Sequence, residues 1–259
     1  MFHETVQGWR GDGTLDMTDQ RANEIISSGT GWKLLLWKLT AVFKEALRDG
    51  YDETEVEKSY TAVMAAMQEF DDTFRPPLNA CQSRMPFLGQ QVKLRWYSLM
   101  LHYHLSILML ADVIEALDRT DLLNKFAQAI SGAEAAVMNT LVFGLQNTFT
   151  IGVEWARFDT GYPTNTTASF PILSIDPYPH HVVASVQLMH KAIERDATGG
   201  KISDATYSNL MSTLEQVLKN LPANSKSVQA ARDRFSLEST AEEIATPHQD
   251  LTQYYMLDS

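Results

Sequence analysis

Apolar residues recur along this chain at helical spacing, and they crowd most densely in its middle. From Trp32 the series Trp32, Leu35, Leu36, Leu39, Phe43 and Leu47 predicts a first amphipathic helix, with Gly50 placed to end it. Asp52 then opens a helix whose apolar face is Val56, Tyr60, Val63, Met67 and Phe70, and which must stop before Pro76-Pro77. Residues 76–86 read as a loop. A long central helix is expected from about Leu88 to Leu117, because Trp96 to Ala111 carries no Asp, Glu, Lys or Arg. That stretch is too short to cross a bilayer, which needs about 20 apolar residues, so it reads as a helix buried nearly all round.

Thr120 or Asp121 caps the next helix, with Phe126, Ile130, Ala133, Val137, Leu141 and Leu145 on one face and an expected end near Trp155. Residues 158–177, rich in Thr, Pro, Asn and Gly, read as a loop. Asp176-Pro177-Tyr178-Pro179 starts a helix that runs to about Arg195, and Ser203 caps one ending near Leu221-Pro222. A last amphipathic helix covers Ser225 to Leu237. No strand alternation stands out, so the fold class expected is all-α: a single-domain helical bundle over 31–237, with an irregular arm at 1–30 and a polar, acidic tail at 238–259.

Charge narrows the functional classes. The net charge of −11 and pI near 5.0 repel a duplex phosphate backbone. Direct nucleic-acid binding by this chain is therefore not expected, and no segment reads as a membrane span. A single cysteine, Cys81, allows no internal disulfide and points to a reducing compartment. With no apolar leader in the first residues, the expected location is nucleus or cytoplasm.

The histidines carry the most conspicuous candidate chemistry. His102 and His104 are two apart, about 200° around a helix, and His180 and His181 about 100° apart, so neither pair chelates one ion. No metal is expected. His180 and His181 fall in a helix's first turn, where the dipole favours a neutral imidazole able to accept a proton or hydrogen bond. The plainer reading is that they fill the helix start. His104 lies deep on the central helix and needs a partner if buried. Asp112 and Glu115, on the same face, are either paired carboxylates for acid-base work or, more simply, the point where the helix meets solvent. Asn139, Gln146 and Thr150 share a stripe with Phe143, which can line a cavity between facing helices or form an internal polar seam.

The segment Asp71-Asp72-Thr73-Phe74-Arg75 invites comparison with the aspartate-rich motif of class I terpene cyclases. Arginine at its last position, and the lack of an Asn-x-x-x-Ser-x-x-x-Glu partner, leave magnesium-dependent ionisation unsupported.

Three pieces carry a wider resemblance: Arg95-Trp96-Tyr97 with Leu99 to His104, the block IDPYPHHVVASVQL, and LPANSKSVQAAR from Leu221 to Arg232. Together they resemble the carboxy-terminal half of the helical regulatory domain of fungal zinc-cluster (Zn2Cys6) transcription factors, without the zinc cluster. The resemblance covers Arg95 to Arg232 and, more loosely, Trp32 onward. It implies a helical scaffold that regulates a DNA-binding part, assists dimer formation or senses a small molecule, often in secondary metabolism. The expected partners are a hydrophobic small molecule or a longer transcription factor, with a homodimer possible.

Two functions follow as expectations. One is a regulatory or ligand-sensing domain. The other is a stand-alone cyclase of pericyclase or Diels-Alderase type, which needs no cofactor and works by holding a hydrophobic terpenoid or polyketide intermediate in one reactive conformer. The candidate pocket liners are Trp96, Tyr97, His104, Asn139, Phe143, Trp155 and His180, with His104, Asn139 and His180 the candidate catalytic groups.

Overall fold

The computed structural model describes residues 17–49, 52–156, 163–223 and 225–245. The chain is an all-α helical bundle with one small β-hairpin. In order, its helices are α1 (Asp19–Asp49), α2 (Glu53–Thr73), α3 (Arg75–Arg84), α4 (Gln90–Ala116), α5 (Thr120–Gln146), α6 (Pro179–Thr198), α7 (Asp204–Asn220) and α8 (Lys226–Ala245). Between α5 and α6 run β1 (Thr148–Ala156) and β2 (Pro163–Pro171), followed by a 3-10 turn at Ile172–Ile175.

Helix α4 is the axis of the bundle, packing against α1, α5 and α6. From Leu101 to Leu108 every side chain is buried, including His102, Tyr103 and His104. Its composition suits a membrane-crossing segment, but 61% of its most apolar window is enclosed by the bundle, which accounts for that apolarity. Phe70 of α2 stacks on Tyr103 at 3.8 Å between ring centroids, and Phe43, Tyr60 and Phe126 form a second aromatic knot joining α1, α2 and α5. Aromatic pairs of this kind add roughly 0.5–1.5 kcal/mol each beyond the area they bury.

Capping follows the sequence at several ends. The Asp52 carboxylate accepts from the Thr54 amide at 2.8 Å, and the Ser203 hydroxyl accepts from the Thr206 amide at 3.2 Å. Gly200, at φ 66°, turns the chain between α6 and α7 in a conformation that costs glycine nothing. The guanidinium of Arg232 on α8 donates to the carbonyls of Leu218, Lys219 and Leu221, closing the end of α7.

Four expectations need correction. Helix α1 begins at Asp19, so residues 19–30 are not an irregular arm. Ala22, Ile25, Ile26 and Gly29 continue the apolar stripe of Leu36 and Phe43, and Gly29 lets α4 approach closely, since a Cβ there would sit 3.0 Å from Leu99 Cδ2. Residues 75–84 form helix α3, not a loop: Pro76 and Pro77 occupy its first turn, where the missing amide hydrogen is no loss. Helix α5 ends at Gln146 and does not reach Trp155. The residues beyond it alternate Phe149, Ile151 and Val153 with Thr148 and Thr150, a β-branched pattern, and pair antiparallel with 163–171 in place of a loop. Finally, α8 continues past Leu237 to Ala245, so the tail is helical up to there. Residues 1–16, Gly50, Tyr51, 157–162 (which include the first part of the expected loop), 224 and 246–259 lie outside the described residues.

Candidate functional site

Three chain segments meet where α1, α4 and the start of α6 converge. Helix α1 supplies Lys33 and Trp37, α4 supplies Tyr97, Ser98 and His102, and the turn into α6 supplies Asp176, Tyr178, His180 and His181. His102 lies on α4 one turn after Ser98, whose hydroxyl is 3.3 Å from its Nδ1. Its Nε2 stands 3.0 Å from Nδ1 of His181. One proton lies between the two rings, donated by whichever imidazole carries it. The Trp37 indole N–H donates to the His102 carbonyl at 3.2 Å, and its ring meets His181 edge-on at 5.6 Å between centroids.

Burial sets the charge of this cluster. It pushes His102 down to about 3, with Lys33, His181 and His180 adding repulsion. His181 is lowered by burial first, then by His180 and Lys33. Both rings are therefore neutral at pH 7. Burial also lowers Lys33, against the pull of Asp176. Asp176 itself is raised by burial, opposed by hydrogen bonding from the Tyr178 amide, which reaches its Oδ1 at 2.8 Å. Its Oδ2 and the Tyr97 hydroxyl are close enough to interact electrostatically, yet neither meets a partner at normal hydrogen-bonding geometry. The same burial, with the Asp176 charge, raises Tyr97 well above the usual phenol range.

The proposed liners divide between this region and others. Trp96 packs on Phe143 at 4.9 Å between centroids, joining α4 to α5. Tyr97, fully buried, lies against Gly144 of α5, where a Cβ would come within 2.6 Å of its ring. His180 is exposed at the mouth of the cluster, its ring 4.2 Å from that of His181. His104 is not part of it. It is buried, its Nδ1 is 2.8 Å from the Met100 carbonyl, its Nε2 has no hydrogen-bond partner, and burial pushes it down to about 4. Asn139 is exposed on another side, lining a shallow recess with Met189 and Leu210. Trp155 lies in β1, and its side chain is outside the described residues. These liners do not surround one cavity.

The residues of this cluster that the expected pocket liners leave out are His102, Trp37, Lys33 and Asp176. Helical spacing on α4 separates His102 from His104, and only the meeting of α1, α4 and α6 reveals which histidine has a partner.

A groove of about 660 Å³ lies between α4, α5 and α6. Leu108, Ala111, Leu123, Ile130 and Leu188 form its apolar surface. Ion pairs line its rim. Lys191 bridges Asp112 at 2.9 Å and Glu115 at 2.7 Å, and Arg195 holds Glu134 through two hydrogen bonds of 3.0 and 3.1 Å. Asp112 and Glu115 are thus partners of a lysine, in keeping with their place where α4 meets solvent. Asp71 is likewise held by Arg75, at 2.6 Å. Among the described residues no group of three or more His, Cys, Asp or Glu is arranged to hold a metal ion. No family model, curated protein or solved structure matches this chain.

Proposed function

We propose that this chain is a ligand-sensing regulatory helical domain, similar to that of fungal zinc-cluster transcription factors, acting through other proteins and not on DNA directly. One observation carries the reading. Two of the three sequence blocks on which the resemblance rests, around Trp96–His104 and Ile175–Leu188, meet in space through the His102–His181 contact and the Tyr97–Asp176 approach. They form one buried polar node.

The rest of the site agrees with binding more than with turnover. The groove farther along α4 and α6 has the volume of a small-molecule site, typically about 300–1,000 Å³, and an apolar surface suited to a hydrophobic metabolite. Helices α4 and α6 contribute to both node and groove, so a ligand there acts on elements that also hold the node. The acids and bases at the groove's rim are engaged with one another, Lys191 with Asp112 and Glu115 and Arg195 with Glu134, which favours a stable sensor over a reactive centre.

A cofactor-independent cyclase is the second reading. What favours it is the buried Tyr97–Asp176 pair, a phenol and a carboxyl that burial raises, each with an oxygen that no hydrogen bond occupies, groups of the kind that polarise a carbonyl. Deleting the gene in its own host separates the two. Collapse of neighbouring transcripts with loss of all intermediates supports the regulator. Steady transcripts with accumulation of one uncyclised precursor overturn it in favour of the cyclase.

A further inference from the structure

Among the described residues, the β-hairpin has one edge closed from within and one that no other backbone pairs with. The side-chain amide of Gln90, at the start of α4, donates to the Thr150 carbonyl at 3.0 Å and accepts from the Thr150 amide at 2.9 Å. A glutamine side chain thus does for β1 what a third strand would do. It also fixes the phase of the ladder: Thr150 turns its backbone groups outward, so it forms a non-hydrogen-bonded pair with Ser169. The 2.9 Å contact between the Thr150 and Ser169 hydroxyls fits that closer type of pair. Alternation then directs the backbone N–H and C=O groups of Asn165, Thr167 and Ser169 outward from β2, away from β1.

We propose that this edge of β2 is a self-association surface, at which a second copy of the chain pairs its own β2 antiparallel across a two-fold axis at Thr167. The register is self-consistent. Thr167 faces its counterpart, and Asn165 of each copy faces Ser169 of the other, so every outward group meets an outward group and six backbone hydrogen bonds form.

Three features select a second copy as the occupant. The chain carries a net charge of −11, so most of its surface repels another copy, yet β2 has no charged residue; the one charge among the paired strand residues, Glu154, is on β1. The edge has neither the lysine nor the bulge with which proteins usually block strand addition, and its prolines, Pro163 and Pro171, stand only at its ends. Thr167 and Ser169 are solvent-exposed, as is Phe170 beside them. The small contact implies a weak, concentration-dependent dimer.

Sedimentation velocity and light scattering on the full chain, from low to high micromolar concentration, test this. The wild type should move from the mass of one chain toward that of two. Thr167→Pro removes the central outward N–H without touching the intramolecular ladder, and Thr167→Lys sets two ammonium groups opposite each other. Both should stay at one-chain mass with unchanged helical circular dichroism. Amide exchange at Thr167 and Ser169 should slow as the wild type is concentrated. A wild type that remains at one-chain mass overturns the proposal. So does a dimer that both variants retain, since another face then holds it. The readout is mass, independent of the transcript levels that test the regulatory reading.

Discussion

His102 and His181 lie 79 residues apart in the chain, and their facing ring nitrogens are 3.0 Å apart. One donor and one acceptor satisfy each other there, and the His102 ring is buried. Truncating His181 to Ala leaves the buried Nε2 of His102 without its partner. An unsatisfied buried polar group costs about 1–3 kcal/mol, and His181→Ala should lower the urea-unfolding free energy by roughly that amount. The double variant His102→Leu/His181→Leu should recover part of the loss. If His181→Ala unfolds at the wild-type midpoint, the contact contributes nothing to stability.

Acid should weaken the fold through its histidines. His104 is almost fully buried, and burial lowers it from 6.5 to about 4. Because the folded value lies below the unfolded one, the unfolded state binds more protons between them. Stability is complete above about pH 6.5 and is lost as pH falls toward 4. The His104 contribution amounts to roughly 2–3 kcal/mol at pH 4.5, and His102, lowered to about 3, acts in the same direction. Asp176, raised when folded, acts in the opposite sense, adding stability at low pH that is lost as pH rises through its folded value. Urea midpoints measured from pH 7 to 4.5 should fall steeply in the wild type and less steeply in His104→Phe. Equal slopes in the two proteins would contradict the assignment.

Two glycines on α5 should respond oppositely to alanine. At Gly144 a Cβ would meet Tyr97 Cε2 at 2.6 Å and Leu173 Cβ at 3.3 Å, both in the core. Overpacking of that kind costs about 1–3 kcal/mol, more than the gain in helix propensity. At Gly132 nothing lies within 4 Å, so alanine should stabilise by about 0.5–1 kcal/mol. Thermal melts of the two variants should move in opposite directions. A stabilised Gly144→Ala would mean that α4 and α5 are not so closely opposed.

The groove between α4, α5 and α6 can be tested with an environment-sensitive dye. Anilinonaphthalene sulfonate has an apolar body that matches the surface formed by Leu108, Ala111, Leu123, Ile130 and Leu188. Ala111→Trp should fill the groove and cut the dye's fluorescence gain several-fold while leaving the circular dichroism unchanged. Undiminished fluorescence would place the dye, and any ligand it mimics, elsewhere.

The helical parts of this fold were legible where period and punctuation agreed. Asp52, Ser203 and the proline-rich start of α6 announced their helices, and the charge-free stretch of α4 announced its burial. Elsewhere two signals overlapped. Leu141 and Leu145 extend a helical stripe just as Phe149, Ile151 and Val153 begin to alternate, and the longer period hid the shorter. Gly29 and its serine neighbours discouraged a helix that packing against Leu99 nevertheless supports. The site was less legible still. His102 and His104 are equally buried neighbours on one helix, and only the approach of His181 from α6 distinguishes them. Asp176 looked like part of a helix start, and its buried face depends on where Tyr97 lies. Such pairings arise from the crossing of α1, α4 and α6, which no local spacing encodes.

The grip of Arg232 on three carbonyls at the end of α7 bears on how the protein can be divided. A chain cut before that residue loses the donors that close α7, so α7 would fray from its carboxy-terminal end and Val217 and Leu218, both buried, would lose their cover. Fragments intended to keep α7 folded therefore have to extend beyond Arg232, and limited proteolysis of the intact chain should spare the last turn of α7.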